Sequence, residues 1–402
     1  MALMPVADAL RAVLDGASAL PEEMIALDDA RGRVLARDLT AMRSQPPADM
    51  SAMDGYAVRA ADATLSARLT VIGEVAAGRP FARTMQPGEA VRIFTGGVIP
   101  NGADAIVIQE DATRDGDTVT VNEAASAGRH IRRAGIDFRE GDVLLKTSHR
   151  LLDRDLALAA SMNHPVLPVF RRPKVAMLAT GDELVMPGSA PDPGQIVYSN
   201  GFALRALARD QGADVIDLGI ARDTVDDTAS AIRRAIEAGA DILVTTGGAS
   251  VGDHDLVKQA LEREGVAIGF WKIAMRPGKP MMHGRRGAMR VLGLPGNPVS
   301  SYVCAILFMA PLIRALTGRT DIAWPVHDAV LGREVPANDQ REDYLRAALQ
   351  ERPGSVPVAV PVSNQDSSLM ANLTRADALL IRPPHAPSAA AGVPCKVLRL
   401  PA

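Results

Sequence analysis

Between Lys174 and Leu316 the chain alternates short apolar runs with amphipathic stretches, and each run ends in a turn rich in glycine or carboxylate. Val175 to Ala179 leads into Thr180-Gly181-Asp182-Glu183. Ile242-Leu243-Val244 leads into Thr245-Thr246-Gly247-Gly248, and Met289 to Leu292 leads into Gly293-Leu294-Pro295-Gly296-Asn297-Pro298. Apolar runs of this length, bounded by glycine, suit strands covered on both faces. Helical spacing lies between them, at Gly201 to Asp210 (stopped by Gly212), Thr224 to Ala238 and Leu256 to Glu264. The second is the clearest: Thr224 and Asp227 have capping-box spacing, Val225, Ala229, Ile232 and Ile236 form one stripe, and Gly239 stops it. Asn297-Pro298 opens a further helix towards Leu316, with a bend expected near Pro311. Strand and helix in this order predict a doubly wound parallel sheet.

The flanking regions read differently. Residues 4 to 15 have helical spacing closed by Gly16, and a short strand is expected from Arg33 to Leu39. Pro46-Pro47 and Asp54-Gly55 then break the pattern. Leu69 to Ile72, Val91 to Phe94, Ala105 to Ile108 and Thr118 to Val121 are short β runs separated by glycine turns, as in a small barrel or sandwich. Asp153 to Met162 is helical again, and prolines 165, 168 and 173 mark a boundary. After Trp324-Pro325 come five β runs, Asp328 to Val335, Tyr344 to Leu349, Val356 to Val362, Ala378 to Arg382 and Lys396 to Leu400, in a small terminal domain.

Composition narrows the function. A net charge of −3 offers no broad attraction to nucleic acid or anionic membrane, and 3% aromatic residues leave little for base stacking. Cys304 and Cys395 supply neither a disulfide framework nor zinc spacing and fit a reducing cytosol. The N-terminus does not read as a signal peptide, and no apolar run of about 18 residues is found, so no membrane span is expected. No nucleophile-elbow serine, P-loop or well-placed dinucleotide fingerprint is found either.

What remains is a site for an oxyanionic ligand. One glycine turn would be an ordinary strand-to-helix corner. Three on the same type of strand end favour a shared phosphate cradle, because glycine lets backbone N–H groups approach an anion. Glu183, Asp223 and Asp255 each follow a strand end of this region. They suit a hard cation such as Mg²⁺ bridging to phosphate, and equally suit helix capping; Asp182 and Asp253 are the likelier cappers of their pairs. Lys272, Arg276 and Lys279 lie around Pro277-Gly278, where two prolines and a glycine favour a stiff anion clamp over a solvated loop. From spacing alone Asp54 is a turn residue, and Thr95, Arg132 and Asp137 carry no signal.

The ordered set SAMDGYA (51–57), RIFTG (92–96), PNGADA (100–105), IRRAGID (131–137), TGDEL (180–184), TGGASVGDHD (246–255), MRPGKP (275–280) and GLPGNPVS (293–300) closely resembles the molybdopterin molybdenumtransferase family, which includes bacterial MoeA and the E domain of gephyrin. The resemblance spans nearly the whole chain. It implies a molybdopterin-binding-like α/β domain (172–321), an inserted β domain (44–146), a discontinuous N-terminal domain (1–43 and 147–171) and a C-terminal β barrel (322–402). It implies an elongated homodimer with a shared active cleft. It also implies the insertion of molybdate into adenylyl-molybdopterin with release of AMP and with Mg²⁺.

Carried over by position, Asp54, Thr95, Arg132, Asp137, Glu183, Asp223, Asp255, Lys272 and Arg276 match catalytic residues, and Glu183, Asp223 and Asp255 would hold the metal. Gly181, Thr246, Gly247, Gly248, Ser250, Pro277, Gly278, Lys279, Pro295, Gly296, Asn297, Pro298, Arg341 and Ser368 would bind substrate; Arg346 and Ser367 compete with the last two. Arg276 stands where some members have lysine, which keeps the charge and adds a planar fork. The molybdopterin adenylyltransferase and downstream cofactor-handling proteins are the expected partners. A scaffold of the gephyrin type and a paralogue that inserts tungstate are the rival readings.

Overall fold

The computed structural model describes residues 3–76, 78–247 and 256–401. The contacts divide the chain into two compact units. One comprises Met1–Glu23, Gly32–Ala36 and Val169–Ala402; the other comprises Met24–Arg31 and Arg37–Pro168.

The first unit is built on a six-stranded sheet. Its order is Asp214–Ala221, Lys174–Thr180, Ile242–Thr246, Met289–Leu294, Pro280–Arg286, Ala267–Lys272. The first four strands are parallel, as predicted, and the last two join antiparallel at one edge. Those two were not foreseen, because proline, glycine and charge interrupt the apolar pattern on either side of Met275. Both faces are covered. Val175, Met177, Ile242 and Val244 pack with helices Val6–Leu14, Asn200–Asp210 and the run 298–316. Ala176, Leu178 and Leu243 pack with helices Val225–Glu237 and Leu256–Arg263. Alternate side chains of one strand thus serve two cores, which explains why these runs are continuously apolar.

The helix ends follow the sequence chemistry. Thr224 accepts from the Asp227 backbone N–H at 3.1 Å, and the helix starts at Val225. Gly239 follows at a φ of 68°, a left-handed conformation that glycine adopts freely. The disturbance expected near Pro311 takes a specific form: a π-turn over Ala305–Met309 separates two α-helical segments. The wider turn accommodates the N–H that proline lacks. The helix Pro298–Leu316 is long and apolar enough to cross a membrane, but 89% of it is buried inside the protein, so it is the central core helix.

The end of this unit closes into a five-stranded barrel. Glu342–Gln350, Val358–Pro361, Val326–Leu331, Pro394–Arg399 and Ala378–Arg382 pair in that order, and the last pairs back to the first. Closure leaves these five strands no free edge. Mostly small and branched residues fill it, among them Ala329, Ala347, Ala359, Leu380 and Val397.

The second unit carries another six-stranded sheet, ordered Ala105–Ile108, Gly55–Val58, Glu89–Ile93, Arg68–Val75, Thr118–Val121, Ala112–Asp115. Here the sequence reading needs two corrections. Asp54 ends a bend, but Gly55 does not break the β pattern: it begins a central strand paired on both sides. A side chain begun at Gly55 would lie 2.1 Å from the Val107 carbonyl oxygen, so this glycine serves close strand approach. The strand expected over Arg33–Leu39 also shrinks, to an isolated antiparallel bridge between Leu35 and Val169 followed by the two-residue strand Leu39–Thr40. Asp38 instead turns its carboxylate to the Thr147 N–H (2.9 Å) and Lys146 Nζ (3.0 Å), which bends the chain there.

Candidate active site

The parallel sheet reverses its order of winding between Lys174–Thr180 and Ile242–Thr246: the chain adds its next strand on one side of the first, then crosses to the other. Open sheets bind ligands at the carboxyl ends of such strands. A cleft of about 830 Å³ lies there, lined by Thr180, Glu183, Thr246, Gly247 and the turn Pro295 to Pro298, with Ser368 at its border.

Three glycines shape this cleft. At Gly247 φ is 88°, and an added Cβ would sit 2.3 Å from the Thr180 carbonyl oxygen. At Gly181 φ is 147°, and the Glu183 carboxylate folds over it so closely that a Cβ would meet Oε2 at 2.7 Å. Gly296 approaches Gly247 from the third turn, its Cβ position 3.6 Å from the Gly247 Cα. The three turns singled out in the sequence are therefore in mutual reach, and no side chain larger than hydrogen fits at Gly247. Gly248, Ser250, Asp253 and Asp255 lie outside the described residues.

Two asparagines brace the third turn. Asn200 donates to the Gly296 carbonyl oxygen at 2.6 Å, and Asn297 donates to Ser367 Oγ at 3.0 Å. Asn297 precedes the helix but makes no side-chain cap; its amide reaches across to the barrel segment instead. Sequence reasoning missed Asn200 and its neighbours Tyr198 and Ser199, which also line the cleft. A Ser-Asn pair opening a helix was the available signal. Tyr198 is buried, which pushes its phenol pKa up and keeps it protonated at neutral pH.

The acids proposed for metal divide. Glu183 faces the cleft. Asp223 exchanges hydrogen bonds with Asp182: each backbone N–H donates to the other's carboxylate at 3.2 Å. Asp182 and Asp223 therefore cap each other's turns. Among the described residues no group of three or more His, Cys, Asp or Glu side chains converges to hold a metal. The carboxylate oxygens present have the chemistry that Mg²⁺ takes, and the set read from the sequence needs Asp255 to complete it.

The cations are placed differently from a free clamp. Lys272 ends one strand, Met275–Arg276 is a two-residue strand of the barrel sheet, and Pro280 begins the next strand of the α/β sheet. Arg276 therefore is not in a solvated loop. Its Nε donates to Asp343 Oδ1 at 2.9 Å, and its Nη2 bonds Asp343 Oδ2 and Asn338 (3.3 Å). It lines a second hollow of about 380 Å³ with Asn338, Asp343 and Gln365, apart from the cleft. Pro277 follows a cis peptide bond. Gly278 is buried against Cys304, whose Sγ would be 2.5 Å from an added Cβ. Lys279 is exposed.

Of the two barrel arginines, Arg341 is committed to Asp339 (2.7 Å), whose pKa this pairing lowers to about 2. Arg346 is wholly buried. It donates to the Asp366 carbonyl oxygen at 3.0 Å, while its Nε and Nη1 have no hydrogen-bond partner among the described residues. Ser368 donates to Asp366 Oδ1 through both N (2.8 Å) and Oγ (2.7 Å).

In the second unit the structure brings three of the four carried-over residues to one exposed patch. Asp54 Oδ1 accepts from the Thr95 backbone N–H (2.7 Å) and from Thr95 Oγ1 (2.8 Å). These bonds, the backbone one first, hold the Asp54 pKa below its ordinary 3.8. Ile131–Arg132 pairs antiparallel with Met50–Ser51, which sets Arg132 beside the loop that carries Asp54. Asp137 is exposed a few residues on, where its N–H donates to the Gln45 carbonyl oxygen at 3.0 Å.

Comparison with known proteins agrees with this architecture. Residues 4–163 match the family model for the MoeA N-terminal region (domain I and II). Residues 176–315 match that for a probable molybdopterin binding domain, and residues 328–400 that for the MoeA C-terminal region (domain IV). A molybdopterin molybdenumtransferase of Haemophilus influenzae is 40% identical over 76% of this chain and 75% of its own length. One from Nostoc is 36% identical over 94% of this chain and 89% of its own. The solved structure of a molybdopterin biosynthesis MoeA protein from Pyrococcus horikosii superposes with a TM-score of 0.87 at 32% identity, covering 100% of both chains. The chain belongs to the molybdopterin molybdenumtransferase family, transferases of molybdenum cofactor biosynthesis.

Proposed function

We propose that this protein inserts molybdate into adenylyl-molybdopterin and releases AMP. The observation that carries the reading is the cleft at the winding reversal, where three glycine turns meet and Gly247 admits no side chain. Such turns let backbone dipoles approach the pyrophosphate of the substrate. Asn200 and Asn297 hold the third turn in place, so its position need not be organised during the reaction. No covalent nucleophile is required; holding two anions side by side and offsetting their charge does most of the work.

Lys272 and Lys279 would supply that charge, together with Arg346, and Arg276, paired with Asp343, would hold the segment between the two lysines in place. The buried Arg346 guanidinium has two nitrogens without hydrogen-bond partners among the described residues, and it bonds the Asp366 carbonyl oxygen two positions before Ser368, which lines the cleft. That favours Arg346 over Arg341 for the oxyanion. Glu183, Asp223 and Asp255 would hold Mg²⁺, which when bound would offset charge on the phosphate oxygens.

The protein acts as a homodimer in this reading: Asp54, Thr95, Arg132 and Asp137 of one copy complete the cleft of the other. It works in the cytoplasm, between the adenylyltransferase that supplies its substrate and the proteins that receive the cofactor. The two unpaired cysteines support that compartment.

The test is direct. The purified protein with adenylyl-molybdopterin, molybdate and Mg²⁺ should release AMP; release no faster than background would overturn the reading. Tungstate in place of molybdate, compared by product formed, decides the preferred oxyanion. Mixed dimers of Asp54→Ala and Glu183→Ala chains should regain activity that neither variant has alone, and inactive mixtures would remove the shared cleft.

A further inference from the structure

The segment from Lys272 to Lys279 belongs to two sheets. It leaves the α/β sheet at Lys272, pairs for two residues with the barrel strand Glu342–Gln350 (Met275 with Glu342, Arg276 with Asp343), and re-enters the α/β sheet at Pro280. The positions of Lys272 and Lys279 thus depend on how the barrel holds the two residues between them. Backbone pairing over two residues is a weak constraint. The side chains strengthen it: Asp343, only 3% exposed, takes both Nε and Nη2 of Arg276, and Asn338 takes a further Nη2 bond.

A guanidinium has five N–H donors in a rigid fork, and three of them are spent here on the barrel. Asp339 stands 3.7 Å from Nη1, but Arg341 and its backbone N–H already engage its carboxylate. A lysine at position 276 would meet Asp343 with a single nitrogen and leave this geometry undetermined.

We propose that Asp343 is a positioning residue for the oxyanion step: by locking the Arg276 fork to the barrel it sets where Lys272 and Lys279 present their charge. The inference rests on the reading that these two lysines hold the oxyanion. Asp343 itself touches no substrate.

The test separates the two substrates. In Asp343→Asn, whose side chain has the same shape without the charge, the KM for molybdate should rise about tenfold while that for adenylyl-molybdopterin stays within about twofold. In a Lys279→Ala background, where presentation of that charge no longer matters, Asp343→Asn should add much less than it does alone. Arg276→Lys should give the same selective rise, and it decides the matter should Asp343→Asn fail to fold. An unchanged KM for molybdate, an equal rise for both substrates, or full additivity with Lys279→Ala would overturn the role of Asp343. Failure of the wild-type protein to release AMP would instead overturn the reading on which it rests.

Discussion

Two glycine turns in this protein look alike in sequence and differ in what surrounds them. Thr246-Gly247 ends a central parallel strand of one unit, and Thr95-Gly96 follows a strand of the other. Both glycines have left-handed backbones, with φ of 88° and 81°. At Gly247 a Cβ would strike the Thr180 carbonyl oxygen, whereas nothing lies within 4 Å of one at Gly96. The first turn is defined by what presses on it from neighbouring strand ends. The second is held by hydrogen bonds to a distant segment: Asp54 accepts two from Thr95, and the Gly96 N–H donates to the Ser51 carbonyl oxygen at 2.9 Å. Both turns depend on distant segments, but one is shaped by close packing in a cleft and the other by hydrogen bonds on an exposed patch.

Substitution can break this contrast. Gly247→Ala combines a backbone clash with left-handed strain and should cost at least about 3 kcal/mol, with loss of activity, in denaturant unfolding and AMP-release assays. Arg276→Ala leaves the buried Asp343 carboxylate without its partner, and should cost about 2 kcal/mol by the same unfolding measurement. Gly96→Ala meets only the backbone penalty and should cost about 1 kcal/mol. A Gly96 variant as unstable as the Gly247 variant would remove the distinction between the two turns.

The smallest effect is electrostatic. In Thr95→Val the Asp54 pKa should move up toward 3.8 without reaching it, because the backbone N–H, the larger cause of the shift, remains. The folded pKa is lowered, so the stabilisation from this carboxylate is present above 3.8 and is lost as pH falls through the lowered value. An NMR titration of Asp54 in both proteins reads this out. An unchanged pKa would mean that the hydroxyl bond contributes nothing.

Much of the fold was legible because strand and helix periods are local properties. The capped helix at Val225, the strands at Ile242 and Met289 and the β runs of the barrel appear nearly where the apolar pattern put them. The strands at Ala267 and Pro280 were not legible for different reasons: Ala267–Lys272 is the edge strand, whereas Pro280–Arg286 lies inside the sheet and buries Met281 and Met282 but carries a proline, a glycine, a histidine and two arginines that interrupt its apolar pattern. Gly55 was misread for a related reason. Asp-Gly is a turn pair by local preference, yet this glycine answers a carbonyl oxygen more than fifty positions away, that of Val107.

The candidate site divides in the same way. Its glycine turns, acids and cations could each be picked out from residue type and from their place after strand runs. Periodicity alone established the alternation of elements, and hence that the runs ending at Ala179, Val244 and Leu292 are parallel strands each followed by a glycine turn. Folding, not local pattern, brings Gly247 against Thr180, turns Asn297 to Ser367 rather than to its own helix, and sets Arg276 facing Asp343 in the barrel. The physical reason is range. Periodicity and capping act over a few residues, whereas close approach and charge pairing join residues distant in the chain, whose meeting depends on how whole sheets pack.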